Sequence, residues 1–249
     1  MVLPALAMLT ISQSGFTPLF NGKNLDGWTA KIAGYEAGDN FADTFRVQDG
    51  KIVVSYDGYG GEFKNRFGHL FYKEEFSAYI LRLEYRFVGT QCPGGPGWAY
   101  KNSGIMFHGQ TPQSMSKDQP FPVSAEFQFL GADEGQKRAS GNLCSPGTHV
   151  IFNGKLHTPH VTEGVGPSIP GEAWVKAELE VQPDGTMIHR INGVETIRYS
   201  GLQLDPNDET AKPLIKNGVL AVTKGTISLQ SESHPIEFRN IEIKKRDGK

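Results

Sequence analysis

An excess of charge of either sign is the first thing this chain lacks. Its 25 Lys and Arg stand against 27 Asp and Glu, for a net charge of -2. A nucleic-acid binder shows a basic stripe, whereas the one basic cluster here is Lys244, Lys245 and Arg246, the usual solvated end. Cysteine is nearly absent too. Cys92 and Cys144 both fall in Gly/Pro-rich segments. They are able to pair in an oxidising compartment but too few to establish one. No run approaches the ~20 apolar residues of a membrane-spanning helix. No dozen residues carry a 3.6-residue period, so helices are expected to be few and short. Walker loops, dinucleotide fingerprints, G-x-S-x-G elbows and paired-Cys zinc knuckles are all missing.

What the chain has is punctuation. Gly 30 and Pro 15 make up nearly a fifth of 249 residues, where ordinary proteins carry about 12%. Between these breaks lie short alternating runs. Phe45–Gln48, Asp49-Gly50 and Lys51–Ser55 read as a hairpin, because Asp-Gly favours the positive φ of a type I′ turn. From Phe76 to Val88, Tyr79, Leu81, Leu83, Tyr85 and Phe87 face one way and Arg82, Glu84 and Arg86 the other. In 124–130, Ala125, Phe127 and Phe129 oppose Ser124, Glu126 and Gln128. Further strands are expected over 174–181, 186–191, 194–199, 219–222, 225–230 and 236–243, with turns at Pro183-Asp-Gly185 and Asn192-Gly193. Residues 131–171 read as one long irregular, decorated loop. The expectation is an all-β fold, a sandwich of two antiparallel sheets in one domain over 16–249. Residues 1–15 read as a signal remnant or a disordered leader: Val2–Ile11 has the length of a signal-peptide apolar region, but no positive residues precede it.

The sequence resembles the 3-keto-disaccharide hydrolase domain family over nearly its whole length. The resemblance rests on Phe16-Thr-Pro-Leu-Phe-Asn-Gly-Lys-Asn-Leu-Asp-Gly-Trp28, Glu84-Tyr-Arg86, Asn102-Ser-Gly-Ile105, Glu126-Phe-Gln128, Gly171-Glu-Ala-Trp174, Ile227-Ser-Leu-Gln230 and Phe238-Arg-Asn-Ile241, in that order. It implies a concanavalin A-like jelly roll, bacterial periplasmic or secreted placement, and work on glycosides oxidised at C3. The E-x-D-x-x-E arrangement of laminarinase-type jelly rolls is missing, which counts against an ordinary retaining glycosidase with two carboxylates about 5 Å apart.

A ketone at C3 acidifies the C2 proton, so such chemistry needs a general base, an acid for the leaving oxygen and donors for the C3 oxyanion. The resemblance points to Glu126 and His234 as base and acid, in either order. Glu126 and Gln128 share one strand face, which is otherwise simply the solvated side of a sheet. Arg86 is open between a cross-strand ion pair with small energetic value and a substrate contact. Asn102, His108, Gln128, Glu232 and Trp98 complete the substrate-binding candidates, Trp98 as a stacking platform. His108 stands where the family often has Arg, and Glu232 where many members have His. His157-Thr-Pro-His160 has ligand-like spacing, but Pro159 excludes a helix that would align the rings. No cofactor is implied with certainty; a divalent cation polarising the ketone is an alternative to side-chain donors. The expected partner is an oligosaccharide or glycoside, with neither nucleic acid nor a membrane span. The rival classes are a lectin-like binding module and a conventional glycoside hydrolase on unoxidised sugar.

Overall fold

The computed structural model describes residues 15–246; the expected leader over 1–15 lies outside them except for Gly15. In chain order the strands are β1 (Thr17–Pro18), β2 (Trp28–Ile32), β3 (Phe45–Gln48), β4 (Lys51–Val54), β5 (Gly68–Tyr72), β6 (Tyr79–Phe87), β7 (Asn102–Gly109), β8 (Ala125–Leu130) and β9 (Asn142–Cys144). There follow β10 (Thr148–Phe152), β11 (Lys155–His157), β12 (Val161–Thr162), β13 (Val175–Val181), β14 (Met187–Ile191), β15 (Val194–Leu204), β16 (Thr226–Ser231) and β17 (Ile236–Lys245). Helix among the described residues is confined to three-residue 3-10 turns. The strands form two antiparallel sheets. A ten-stranded back sheet runs β11-β10-β15-β14-β13-β6-β17-β4-β3, with β1 added beside β17; a seven-stranded front sheet runs β12-β9-β8-β7-β16-β5-β2.

Alternation explains which face each strand buries. In β6 Tyr79, Leu81, Leu83, Tyr85 and Phe87 are buried, and Ile80, Arg82, Glu84 and Arg86 look out of the back sheet. Ala125, Phe127 and Phe129 of β8 enter the same core, where Tyr85 stacks on Phe129 at 4.0 Å. The outward residues of β6 are not simply solvated. Arg82 pairs with Glu242, Arg239 with Glu84, and Glu237 with both Lys51 and Arg86. The Asp49-Gly50 hairpin has the expected form, with Gln48 opposite Lys51 and φ of 50° and 73° at the two turn residues. The opening motif closes an edge, as its turns suggest: β1 pairs with β17, and the Trp28 indole donates to the Leu19 carbonyl at 3.0 Å.

Two expectations are corrected. The segment 131–171 is not an irregular loop, since it carries β9 to β12 and extends both sheets. Its strands are two to five residues long, too short for a period to show among four prolines. Even so, Asn153-Gly154, with φ of 50° and 75°, is a hairpin dipeptide joining β10 to β11. Conversely, 219–222 is not a strand. Val219 and Ala221 make only single bridges, to Lys216 and Gln203.

Candidate active site

The face of the front sheet turned away from the core is polar yet covered. Cross-strand pairing arranges its side chains in two rows. One runs Thr29, Phe71, Ser228, Met106, Glu126, Cys144 and Val161. The other runs Lys31, His69 and Gln230, then Gly104, Gln128 and Asn142. Leu229 opposite Ile105 sets Gln230 beside Gly104. Gly104 matters because it has no side chain. A Cβ there would lie 2.6 Å from Glu126 Oε1, so the missing methyl is the space the carboxylate occupies.

Glu126 and Glu232 both line a cavity of about 600 Å³ over this face, together with Asn102, Gln128, Arg138 and Trp98. Glu126 comes from β8, and Glu232 from the turn that carries the chain from β16 to β17. Both carboxyls are buried, and each has one oxygen, Oε1 of Glu126 and Oε2 of Glu232, without a hydrogen-bond partner in the protein. Burial pushes the Glu126 carboxyl up to about 8, against a smaller opposing effect of the Cys144 thiol that donates to it. Burial and then the charge of Glu126 push Glu232 well above the ordinary carboxylate range, with Arg138 opposing. At neutral pH the pair therefore retains protons that ordinary carboxyls would release.

The surrounding polar groups are held from behind. Asn142 Nδ2 donates to Gln128 Oε1 at 3.1 Å, while Asn142 Oδ1 accepts from the Gly164 amide at 3.0 Å. Asn142's carbonyl lies 3.1 Å from Nδ1 of His189, whose Nε2 meets the Tyr199 hydroxyl at 2.8 Å. Arg138 is fixed by carbonyls: its guanidinium donates to Tyr100, Lys101, Gly131 and Trp98. Asn102 Nδ2 reaches the Trp98 carbonyl at 3.3 Å, and its Oδ1 has no partner. Trp98 is 55% exposed at the rim, with its ring stacked on Phe67 at 5.5 Å.

Of the residues expected from sequence, Glu126, Gln128, Asn102, Glu232 and Trp98 thus meet in one cavity. Three do not join them. His234 is buried against the rings of Phe87 and Tyr100, with both nitrogens unpartnered, and lies outside the cavity lining. Burial, helped by nearby Lys101, lowers its pKa to about 4. His108, at the far end of β7, has Nε2 3.1 Å from the Ser77 carbonyl and borders two other cavities. Arg86 lies on the back sheet, with Nε 2.7 Å from Glu237 and its guanidinium 4.8 Å from the Trp174 ring centre. The ion-pair reading of Arg86 is the one this placement fits. Arg86→Ala is accordingly expected to leave kcat/KM within about twofold while costing about 1 kcal/mol in a urea melt; a tenfold activity loss would put Arg86 back in the site.

Sequence reasoning missed Arg138, Asn142 and Cys144. Arg138 sits in the run Asp133-Glu-Gly-Gln-Lys-Arg138, which reads as a solvated turn. Cys144 has a signal only once β8 and β9 are paired, because Glu126 is its cross-strand partner. Both cysteines are free and buried. His160 borders the cavity, and His157 Nε2 bonds to Thr162 Oγ1 at 2.7 Å. Among the described residues no three His, Cys, Asp or Glu side chains are grouped to hold a metal ion.

The chain belongs to the 3-keto-disaccharide hydrolase family: the 3-keto-alpha-glucoside-1,2-lyase-like domain matches residues 15–244. That family and the fold make it a carbohydrate-active protein of the jelly-roll type. Among solved structures, a candidate glycosyl hydrolase from Parabacteroides distasonis ATCC 8503 is 21% identical, with 97% of this chain and 99% of that one covered and a TM-score of 0.56. A second from the same organism is 19% identical, covering 93% and 99%, with a TM-score of 0.50. The exoplasmic/lumenal domain of VIP36, in a Ca2+/Man3GlcNAc-bound form, is 8% identical over 96% and 91%, with a TM-score of 0.52. At such identities these likenesses speak for the fold alone. Comparison with curated proteins gives no significant match. Among the described residues no helix is long and apolar enough to cross a membrane.

Proposed function

We propose that the protein cleaves 3-keto glycosides, with Glu126 as general base and Glu232 as general acid. The observation that carries this reading is the meeting of two buried carboxyls in one cavity of a chain from this family. Two such groups resist double ionisation, so once Glu126 gives up its proton, near 8, Glu232 keeps its own. Ionised Glu126 raises the affinity of Glu232 for that proton, which leaves a base and an acid side by side.

Glu126 takes the C2 proton, and the electron pair passes to the C3 oxygen as an enolate. The enolate collapses to expel the C1 substituent, whose oxygen takes the proton of Glu232. Water then adds across the C1–C2 double bond: Glu126 returns its proton to C2, and Glu232 accepts one from the water that attacks C1. Both carboxyls are restored, and the sum is hydrolysis with no oxocarbenium ion. Gln128, its oxygen already bonded to Asn142, offers its amide nitrogen to the oxyanion. Arg138 gives a fixed positive charge for the ionised Glu232.

A binding module is the alternative that one observation favours, the exposed Trp98 platform at the rim. Incubation with matched native and 3-keto disaccharides separates the readings. Monosaccharide release from the keto form alone is the expected result. Equal release from the native sugar would overturn the mechanism, and binding without release from either would leave the module.

A further inference from the structure

Three neighbours on the covered face take no part in the chemistry above. His69 of β5 and Ser228 and Gln230 of β16 are at most 1% exposed. Five of their polar atoms, both His69 nitrogens, both Gln230 amide atoms and Ser228 Oγ, have no partner within the protein. Buried polar atoms are almost always paired, and each left unpaired costs about 1–3 kcal/mol. Here they cluster on two adjacent strands.

The cluster adjoins the carboxyl pair. Gln230 is two residues before Glu232 on the same face and sits beside Gly104, over which Glu126 leans. With strands about 4.8 Å apart, Gln230 lies one strand from Gly104 and His69 two. Phe121 stands between the two places: it lines the cavity and meets His69 edge-on, with ring centres 5.9 Å apart. Its chain segment crosses the face and is tied down at Lys117, whose carbonyl accepts from Lys31 Nζ at 2.8 Å and from the Gly34 amide at 3.0 Å.

The chemistry of the cluster is that of a neutral polyol. Gln230 offers one donor group and one acceptor, a neutral imidazole offers one of each, and a serine hydroxyl offers both. Lys31, whose charge acts on His69, gives two of its three ammonium donors to the Ile32 and Lys117 carbonyls, and the three cluster residues themselves carry no fixed charge. From this we infer that His69, Ser228 and Gln230 form a second saccharide subsite, which holds the hydroxyls of the sugar unit next to the reacting ring. It rests on the reading of the Glu126–Glu232 cavity as the seat of that ring. Joining the two requires the Phe121 ring, which stands between them, to move aside.

The test uses unoxidised sugars, so that it does not depend on turnover. Calorimetry with maltose, trehalose and glucose compares the full chain with Gln230→Leu and His69→Phe. The expected result is that at least one disaccharide binds the unaltered protein more tightly than glucose does, and that both variants weaken it tenfold or more. Glucose affinity should stay within twofold. Melting temperatures should hold or rise, because an unpaired buried polar group is replaced by an apolar one of similar shape. Unchanged disaccharide affinity, a parallel loss for glucose, or no preference for a disaccharide would each overturn the subsite. Failure of the carboxyl pair shows separately, as absent turnover of the 3-keto substrate.

Discussion

Replacing Glu126 with Gln is expected to lower kcat/KM on a 3-keto disaccharide by about 10³-fold, within the 10²–10⁴ that a positioned acid or base contributes. The amide has the same shape and leaves the packing around Gly104 intact, so the melting temperature should not fall. Glu232→Gln removes the acid and should cost a similar factor with a poor leaving group. With a good one, such as a nitrophenolate, the loss should be much smaller, because that oxygen leaves without a proton. The pH profile follows from the direction of the shifts. Glu126 must be ionised to act as base, so kcat/KM should rise with pH through about 8 and fall again at higher pH, where Glu232 loses its proton. A rate that peaks near pH 5, or a Glu126→Gln variant with full turnover, would sink the assignment.

Stability is expected to peak near pH 6.5 and fall on both sides. His69 and His189 are buried and held neutral, with pKa values lowered to about 3, and His234 to about 4. An unfolded histidine takes its proton near 6.5, the folded one only near 3. The stability of these groups is therefore complete above about 6.5 and lost as pH falls toward 3, by something on the order of 4 kcal/mol for each of the two most shifted. The carboxyl pair acts in the opposite sense. Glu126 holds its proton up to about 8 when folded but releases it near 4.5 when unfolded, so its contribution is lost as pH rises across that interval. Between about 4.5 and 6.5 the two effects oppose each other, and the acid limb steepens below. Urea midpoints from pH 3.5 to 9 give the curve. His69→Phe should flatten the acid limb and Glu126→Gln the alkaline one; a midpoint that does not change with pH in either variant or in the parent would refute the account.

Much of the back sheet can be read directly from the sequence, because β6 and β13 alternate with one face buried and one largely charged. The front sheet is harder. Its strands are buried on both faces, so β7 and β9 show no alternation, and residues of the covered face look like ordinary polar positions. Glu126 and Gln128 are visible as a pair on one strand. That Glu126 faces Cys144, or that Gln230 sits beside His69, depends on pairing between segments far apart in sequence. The placement of Arg86 and His234 outside the cavity lining is hidden for the same reason. An arginine on an alternating strand gives no hint of which sheet it belongs to, and the turn 232–234 sends Glu232 into the cavity while His234 packs against Phe87 and Tyr100.

The bond between His189 and the Asn142 carbonyl joins the two sheets through the core, while Asn142's own side chain positions Gln128. β9 is only three residues long and lies next to the sheet edge, where short strands ordinarily fray. Anchored in this way, it opens only when the sandwich itself opens. The wall of the cavity that bears Gln128 is therefore expected to exchange its amide hydrogens as slowly as the core strands do.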